Sequence, residues 1–328
     1  MTRLGRVAAV VVLVMFGACR SAGDSRSGAT TTREAHATTS APTPKVWTTG
    51  PALPVALSEV GVAADGASIH VLGGYVAGRP HSTTHLVFDT AARRWRTGAP
   101  LPVALDHIAT AAVDHVVYAA GGYGANGRPS ASLYAYDTTK DTWTTRAGLP
   151  SARAAAVAVV LDGRLHVIGG KGPGGDVGEH DVYDPRLNQW TQAAALPLPR
   201  DHAAAAVVGG RIFVAGGRPG AIDSTEVYEP KTNTWSAEAA LPLARNSIAG
   251  AALDGRFLVI GGEDANERGV YTRVDALDPE THRWSELPPL PAGRQGIGAA
   301  VIAGRVYVPG GGPSGGGSRQ SDVLYVLG

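Results

Sequence analysis

The sequence predicts an all-β fold over residues 45–328, a six-bladed β-propeller in which six four-stranded antiparallel sheets form a ring. Two independent features recur six times, both with spacings of 48, 48, 47, 45 and 49 residues. One is a glycine pair after an apolar stretch, at Gly73-Gly74, Gly121-Gly122, Gly169-Gly170, Gly216-Gly217, Gly261-Gly262 and Gly310-Gly311. The other is a tryptophan, at Trp47, Trp95, Trp143, Trp190, Trp235 and Trp284. A shared period near about 50 residues is typical of propeller blades.

Each repeat predicts four strands. The first is rich in alanine, as in residues 154–160, and a two-residue hairpin turn such as Asp162-Gly163 follows it. The second strand is bulkier and ends at the glycine pair, where a positive φ is allowed. The third ends at a turn such as Tyr183-Asp184-Pro185, and the fourth carries the tryptophan before a Leu-Pro step. Small residues suit the crowded axis of a ring, whereas tryptophan fills the wider outer gaps between sheets.

The two ends of the repeat region are incomplete in complementary ways. The sixth repeat ends at Leu327-Gly328 without a tryptophan strand, and Trp47 precedes any first strand of its own. We therefore predict that residues 45–49 form the outermost strand of the last blade. That pairing would close the ring and remove both exposed sheet edges.

These segments resemble the kelch repeat: a strand ending in Gly-Gly, a Tyr-Asp-Pro turn, a tryptophan six residues after the Asp, and Leu-Pro-x-x-Arg. The resemblance covers residues 46–328. Leu57 and Leu105 replace the arginine in the first two repeats, Leu277 replaces the tyrosine in the fifth, and Asp114-His115 replaces a glycine turn in the second. The resemblance implies a closed propeller whose ligands bind at the mouth of the central channel.

The pattern of residues 1–19 is typical of an export signal. Arg3 and Arg6 precede an apolar run at 7–16, which is too short to span a bilayer. Gly17-Ala18-Cys19 follows and resembles a bacterial lipobox, which implies lipidation of Cys19, although Phe16 departs from the usual aliphatic residue. The alternative is a secreted protein cut nearby.

Residues 20–44 are rich in Ser, Thr, Ala, Gly and Pro and predict a disordered linker. We expect an exported protein, either secreted or held at the outer face of a membrane only through its lipid anchor.

Composition excludes several kinds of site. The net charge is +1 and the arginines are scattered, so no nucleic-acid surface is expected. Cys19 is the sole cysteine, which rules out a disulfide or thiolate metal site in the ring. The glycine-rich stretch 310–318 lacks the lysine and helix of a phosphate loop, and the acidic stretch 263–267 matches no calcium loop. The sequence predicts a monomer with neither cofactor nor metal.

The functional face should be the one with long, variable connections. Because consecutive strands run in opposite directions, the links between second and third strands share this face with the links between blades. The former are residues 75–84, 123–131, 171–179, 218–224, 263–272 and 312–321. Variable loops on a rigid scaffold are where binding residues usually lie.

Two sets of positions should surround the channel mouth. One follows the glycine pairs: Tyr75, Tyr123, Lys171, Arg218 and Glu263. The other is the arginine position of Leu-Pro-x-x-Arg: Arg153, Arg200, Arg245 and Arg294, against Leu57 and Leu105. If they converge, they form a cationic arc beside a tyrosine-lined one, suited to an anionic ligand with an apolar or sugar face. Alternatively, the arginines pack structurally between blades and the loop residues are merely exposed.

His107 and His202 lie two residues beyond the Leu or Arg position, each after an aspartate. They are candidates for acid–base or hydrogen-bonding groups facing the channel. The alternative is a histidine satisfied within an inner strand.

Two functions fit these patterns. One is a binding or scaffold module that recognises a protein or glycan, which could be anionic, at the long-loop face. The other is a carbohydrate-active enzyme of the kelch type, similar to a sugar epimerase or mutarotase, with an acid and a base drawn from Glu59, His107, His202 and Glu263. A copper radical oxidase resembling galactose oxidase is excluded, because the ring has no cysteine for the Tyr–Cys crosslink. A carboxylate and an imidazole meeting in one cavity would favour the enzyme.

Overall fold

The structure, a computed structural model, describes residues 45–78 and 80–328. The predicted signal at 1–19, with Cys19, and the predicted linker at 20–44 lie outside the described residues. Nearly all regular structure in the described chain is β-strand, apart from a short 3₁₀ turn at Gly315–Gly317. No helix there has both the length and the apolar character needed to cross a bilayer.

The strands form six four-stranded sheets. The described chain begins with β1 (Trp47–Thr49). Blade 1 comprises β2 (Gly61–Asp65), β3 (Ser68–Leu72), β4 (His85–Asp89) and β5 (Arg94–Thr97). A short strand, β6 (Leu105–Asp106), precedes blade 2, which comprises β7 (Ala109–Val113), β8 (Val116–Ala120), a short β9 (Tyr123–Gly124) outside the sheet, β10 (Leu133–Asp137) and β11 (Thr142–Thr145).

The remaining blades follow in chain order. Blade 3 comprises β12 (Val157–Leu161), β13 (Arg164–Ile168), the separate short hairpin β14 (Lys171–Gly172) and β15 (Gly175–Asp176), β16 (His180–Asp184) and β17 (Gln189–Gln192). Blade 4 comprises β18 (Ala204–Val208), β19 (Arg211–Ala215), β20 (Thr225–Glu229) and β21 (Thr234–Glu238). Blade 5 comprises β22 (Ala249–Leu253), β23 (Arg256–Ile260), β24 (Val274–Asp278) and β25 (Arg283–Glu286). Blade 6 comprises β26 (Ala300–Ile302), β27 (Arg305–Pro309), β28 (Leu324–Leu327) and β1.

The ring closes through its two ends. β1 pairs antiparallel with β28, with Trp47 opposite Leu327 and Thr49 opposite Tyr325. This confirms the prediction of six blades with the last one completed by an N-terminal strand. The described strands of the closed ring all lie within residues 45–328, and contacts along the chain define residues 44–328 as one compact unit.

The blades pack against one another through apolar clusters and a repeated tryptophan contact. One cluster, for example, joins Leu258 of blade 5 to Val308 of blade 6. On the outermost strand of each blade, the tryptophan indole N–H donates to a backbone carbonyl that follows the preceding blade, at 2.7–2.9 Å. The six pairs are Trp47–Pro288, Trp95–Pro51, Trp143–Ala99, Trp190–Ala147, Trp235–Ala194 and Trp284–Ala239. We call these six residues the outer tryptophans.

Candidate functional site

The links between blades place one residue each around the axis of the ring. These residues lie two positions beyond the Leu or Arg of the Leu-Pro-x-x-Arg segment, and we call them the inner hexad: Glu59, His107, Ala155, His202, Ser247 and Gly296. Each amide N–H donates to the carbonyl of the member before it, at 2.8–3.0 Å, and Glu59 closes the circle onto Gly296. All six have φ between 52° and 57°. This left-handed backbone costs a residue with a Cβ about 1–2 kcal/mol, which the closed circle of hydrogen bonds offsets.

The inner hexad lines a cavity of about 90 Å³ on the axis. Its wall also includes apolar side chains such as Ile108 and Ile248, and alanines and valines of the innermost strands line the channel beyond it. A cavity of this size holds about three waters, at about 30 Å³ each. It can accept one functional group of a ligand rather than a whole sugar.

Three acid–base side chains converge in this cavity. Glu59 Oε2 lies 3.2 Å from His107 Nε2, and the ring centroids of His107 and His202 are 4.9 Å apart. All three side chains are about nine-tenths buried. A Cβ built on Gly296 would overlap the Glu59 carboxylate, so the missing side chain at Gly296 makes room for it. A carboxylate and an imidazole therefore meet in one cavity.

A buried aspartate orients each histidine. The His107 Nδ1 contacts the Asp106 carboxylate, and the His202 Nδ1 lies 2.6 Å from Asp201 Oδ1. Burial lowers the pKa of His107, but the carboxylates of Glu59 and Asp106 outweigh it and hold this pKa above its ordinary value. Burial raises the pKa of Asp201, but the hydrogen bond and charge of His202, the hydrogen bond with Asp176 and the charge of Arg218 together outweigh that effect and lower the pKa to about 2.

The first set of positions predicted to surround the mouth, the residues after the glycine pairs, is joined by backbone bridges to the links between blades. The residue after each glycine pair bridges to the residue before an inner hexad member, as Tyr75–Ser58, Tyr123–Asp106, Lys171–Ala154, Arg218–Asp201, Glu263–Asn246 and Gly312–Gln295. The rings of Tyr75 and Tyr123 stand edge-on to His107, at 5.7 and 5.4 Å between centroids. The candidate loop residues therefore lie next to the inner hexad.

Carboxylates dominate this mouth. Lys171 pairs with Asp176 and Arg218 with Glu263, both at 2.7 Å. The carboxylates in this network of ion pairs are those of Glu59, Asp106, Asp176, Asp201, Glu263 and Glu267, and its fixed cations are Lys171 and Arg218. Burial, with the carboxylates of Asp201 and Asp106, raises the pKa of Tyr123 to about 12. These paired groups therefore carry a net negative charge unless their histidines are protonated.

The four arginines of the Leu-Pro-x-x-Arg segments lie in the interior and do not line the hexad cavity. Three pair with the second residue of the third strand of the blade that follows, as Arg153–Asp181 at 2.6 Å, Arg200–Glu226 at 2.7 Å and Arg245–Asp275 at 2.9 Å. Arg294 instead donates to the hydroxyl of Tyr325 at 3.2 Å. Ligand binding by these buried arginines stays a prediction, and their burial supports the structural alternative.

The two repeats without this arginine explain its uneven distribution. In blade 1 the corresponding pair is Leu57 and Leu86, which share an apolar cluster. In blade 2 it is Leu105 and Tyr134, also in one cluster. Both members change together, so an apolar pair replaces an ion pair at equivalent positions. The asymmetry among the six repeats therefore has a structural cause that requires no ligand.

Comparisons with known proteins agree with this architecture. Residues 59–239 match the model of the KLHDC2/KLHL20/DRC7 Kelch-repeats domain, and residues 244–291 match that of the Kelch motif. No curated protein sequence matches the chain. The solved structure of YjhT superposes with a TM-score of 0.73 at 18% identity, over 84% of this chain and 95% of that one. That identity supports a common fold and no more, but the family model matches over half of the sequence, and the chain belongs to the kelch-repeat family of β-propellers.

Proposed function

We propose that this kelch propeller is an extracytoplasmic binding module that holds a polar group of a glycan ligand in its inner hexad, at the long-loop face. The observation that carries the proposal is the size of the cavity on the axis, about 90 Å³, which admits one polar group of a ligand beside Glu59, His107 and His202 but does not enclose a whole sugar. In the other three blades the hexad residues are Ala155, Ser247 and Gly296, which leave space for a ligand. Buried polar groups arranged around a small opening are typical of sites that orient a ligand.

A neutral, hydroxyl-bearing ligand suits these groups best. The Glu59 carboxylate accepts hydrogen bonds and an imidazole can donate one, whereas the amide N–H groups of the hexad are all used within their own circle. The excess of carboxylates at the mouth opposes an anion. Tyr75 and Tyr123 offer aromatic surface for a sugar ring beside His107.

A glycan array with residues 45–328 tests the proposal. We expect binding that weakens by about tenfold or more in Glu59→Gln, because a charge-assisted contact contributes about 1.5–3 kcal/mol. His282→Ala is the matched control, since this exposed histidine lies in a strand-three-to-four turn on the opposite face. Equal binding by wild type and Glu59→Gln, with normal melting of both, would exclude the hexad as the glycan site.

A second candidate is the acid–base enzyme acting on sugars. The contact of Glu59 with His107 in one cavity favours it, because this pair can hold a proton and pass it to or from a sugar oxygen. The assay is the rate at which reducing sugars change anomer, followed by NMR. We expect acceleration by wild type and its loss in His107→Gln, with His282→Ala unchanged. If the wild-type protein did not accelerate the reaction, the enzyme would be excluded and only the binding module would remain.

The tether is part of the proposal. The signal and the lipobox-like Gly17-Ala18-Cys19 favour a lipid on Cys19 and a position at the outer face of a membrane. Mass spectrometry of the mature amino terminus tests this, with Cys19→Ala as the control. A soluble wild-type product without lipid would indicate simple secretion.

A further inference from the structure

Three side chains of the inner hexad bring metal-ligand atoms together. One such atom from each of Glu59, His107 and His202 lies within 4.8 Å of the other two. Ligands of a tetrahedral zinc ion, bonded at about 2.0–2.1 Å, lie about 3.3 Å from one another. Glu59 Oε2 and His107 Nε2 already have this separation, at 3.2 Å. Modest side-chain rotation would complete the set.

Asp106 and Asp201 prepare both histidines for this role. Each contacts the Nδ1 of the histidine that follows it, and both are buried. An Nδ1–H donated to a carboxylate fixes the tautomer, so that a metal ion can displace the proton of Nε2 and coordinate this atom. Carboxylate–histidine–metal arrangements of this kind are the usual support of histidine ligands. One such pair is common in proteins without metal, but here two of them lie beside the same carboxylate, that of Glu59.

The surroundings suit a dication. Carboxylates outnumber fixed cations at the mouth, so a divalent ion would reduce the repulsion among them. Two imidazole nitrogens favour zinc and similar first-row ions over calcium and magnesium, which prefer oxygen ligands. The cavity of about 90 Å³ leaves space for water beside an ion.

We propose that the inner hexad binds one zinc-class divalent ion through the Glu59 carboxylate and the Nε2 atoms of His107 and His202, with an open position toward the mouth. Neither a metal nor a cofactor is predicted from the sequence, because these ligands come from three different blades. The inference goes beyond the proposed glycan binding and does not depend on it.

Calorimetric titration of zinc into untagged, EDTA-treated residues 45–328 provides the test. We expect one ion per chain, and loss of binding in His202→Ala and Glu59→Gln. Asp201→Asn retains all three ligands, and we expect it to weaken binding about 10–100-fold. His282→Ala is the matched control and should bind as wild type does. Melting curves establish that each variant is folded.

Cobalt provides a second measurement on the unaltered protein. We expect Co²⁺ bound to these three side chains to give the visible absorption of a low-symmetry site, and we expect this absorption to disappear when zinc displaces the cobalt. Absence of zinc binding by folded wild type would overturn the proposal, as would binding that Glu59→Gln and His202→Ala leave unchanged. Glycan binding measured in EDTA separates the two proposals, since it would persist if only the metal site were wrong.

Discussion

The outer tryptophans and the inner hexad use the same six-fold repeat in opposite ways. At the outer edge, six equivalent positions carry the same side chain and make the same indole-to-carbonyl hydrogen bond. At the axis, six equivalent positions share one backbone conformation and one hydrogen-bond circle but carry different side chains. Both rings are repeated structure, yet only the outer one is uniform in chemistry.

The difference supports the proposal that a ligand binds at the inner hexad. A purely structural position in a ring should be filled alike in every blade, or by a packing equivalent. The inner hexad fails this condition, because it combines Glu59, His107 and His202 with Ala155, Ser247 and Gly296 around one cavity. Backbone hydrogen bonds hold the circle without help from side chains, so the side chains are free to differ.

Removing one outer tryptophan with its strand should have the largest effect. A version beginning at Gly50 loses β1, the Trp47 contact with Pro288 and the pairing with β28. We expect it to be less stable than a version beginning at Lys45 by at least about 5 kcal/mol, from the lost tryptophan packing and ladder hydrogen bonds. Thermal melts of the two versions measure this. Equal melting temperatures would mean that closure at β1 contributes little.

Substitutions at the buried arginines test whether this position, which also differs between blades, has a structural role or belongs with the inner hexad to the binding residues. Arg200→Leu leaves Glu226 without its ion partner, and breaking a buried pair in this way costs about 3–5 kcal/mol. Adding Glu226→Leu reproduces the Leu57–Leu86 pair of blade 1 and should restore most of the stability. Urea unfolding of the single and double variants gives the two values.

Ligand measurements on the same variants separate structure from binding. A structural role predicts that the folded double variant binds glycan and zinc as wild type does. A loss of ligand affinity in a stable double variant would return Arg200 to the binding residues.

The sequence was sufficient for the fold because its signals are repeated. Glycine pairs and tryptophans recur in every blade, so an isolated departure does not hide the period. The closing strand followed from the lone Trp47 and the missing sixth tryptophan strand. The residues at which each strand begins and ends depend on local turns, whereas the shared spacing is enough to predict the order of the strands along the chain.

The site was less predictable because its members come from different blades. His107 and His202 were identifiable as histidines near the channel, and Glu59 as a candidate acid or base. Their convergence depends on the left-handed backbone of the hexad, which no single repeat indicates. A signal did exist for the buried arginines: the residue at the second position of the third strand is acidic in blades 3 to 5 and apolar or aromatic where Leu replaces Arg.

Histidines inside the blades offer a contrast with those of the hexad. His70 lies 2.9 Å from His85, and His166 lies 2.8 Å from His180, each through Nδ1 and Nε2. Burial is the main cause that lowers the pKa of His70 and His180 to about 3 and that of His85 and His166 to about 4. These pairs are neutral in the folded protein near pH 7, whereas the carboxylates of Glu59 and Asp106 raise the pKa of His107 above its ordinary value.

Acid should therefore destabilise the blades. The unfolded chain, with histidine pKa values near 6.5, binds more protons than the folded one below that pH. The stability that these four histidines contribute is complete well above pH 6.5 and is lost as the pH falls toward their folded pKa values of about 3 and 4, by roughly 2 kcal/mol in the first unit after allowing for partial exposure. His166→Phe with His180→Thr copies Phe213 and Thr225 of blade 4 and should about halve this slope. Urea unfolding between pH 7 and 5.5 measures it, and an unchanged slope would contradict the assignment to these pairs.

The smallest expected effect separates the hexad backbone from its side chains. Ala155 has a φ of 52°, so Ala155→Gly relieves backbone strain in the folded protein. The greater flexibility of glycine in the unfolded chain offsets part of this gain, and we expect the free energy of unfolding to rise by up to about 1 kcal/mol. Gly296→Ala should instead lower the free energy of unfolding, because alanine is strained at the positive φ of this position and its Cβ would overlap the Glu59 carboxylate. We expect Ala155→Gly to leave zinc affinity unchanged and Gly296→Ala to weaken it by displacing Glu59. If both variants shifted affinity alike, the backbone circle itself would control the cavity, and the division between a uniform backbone and specialised side chains would not hold.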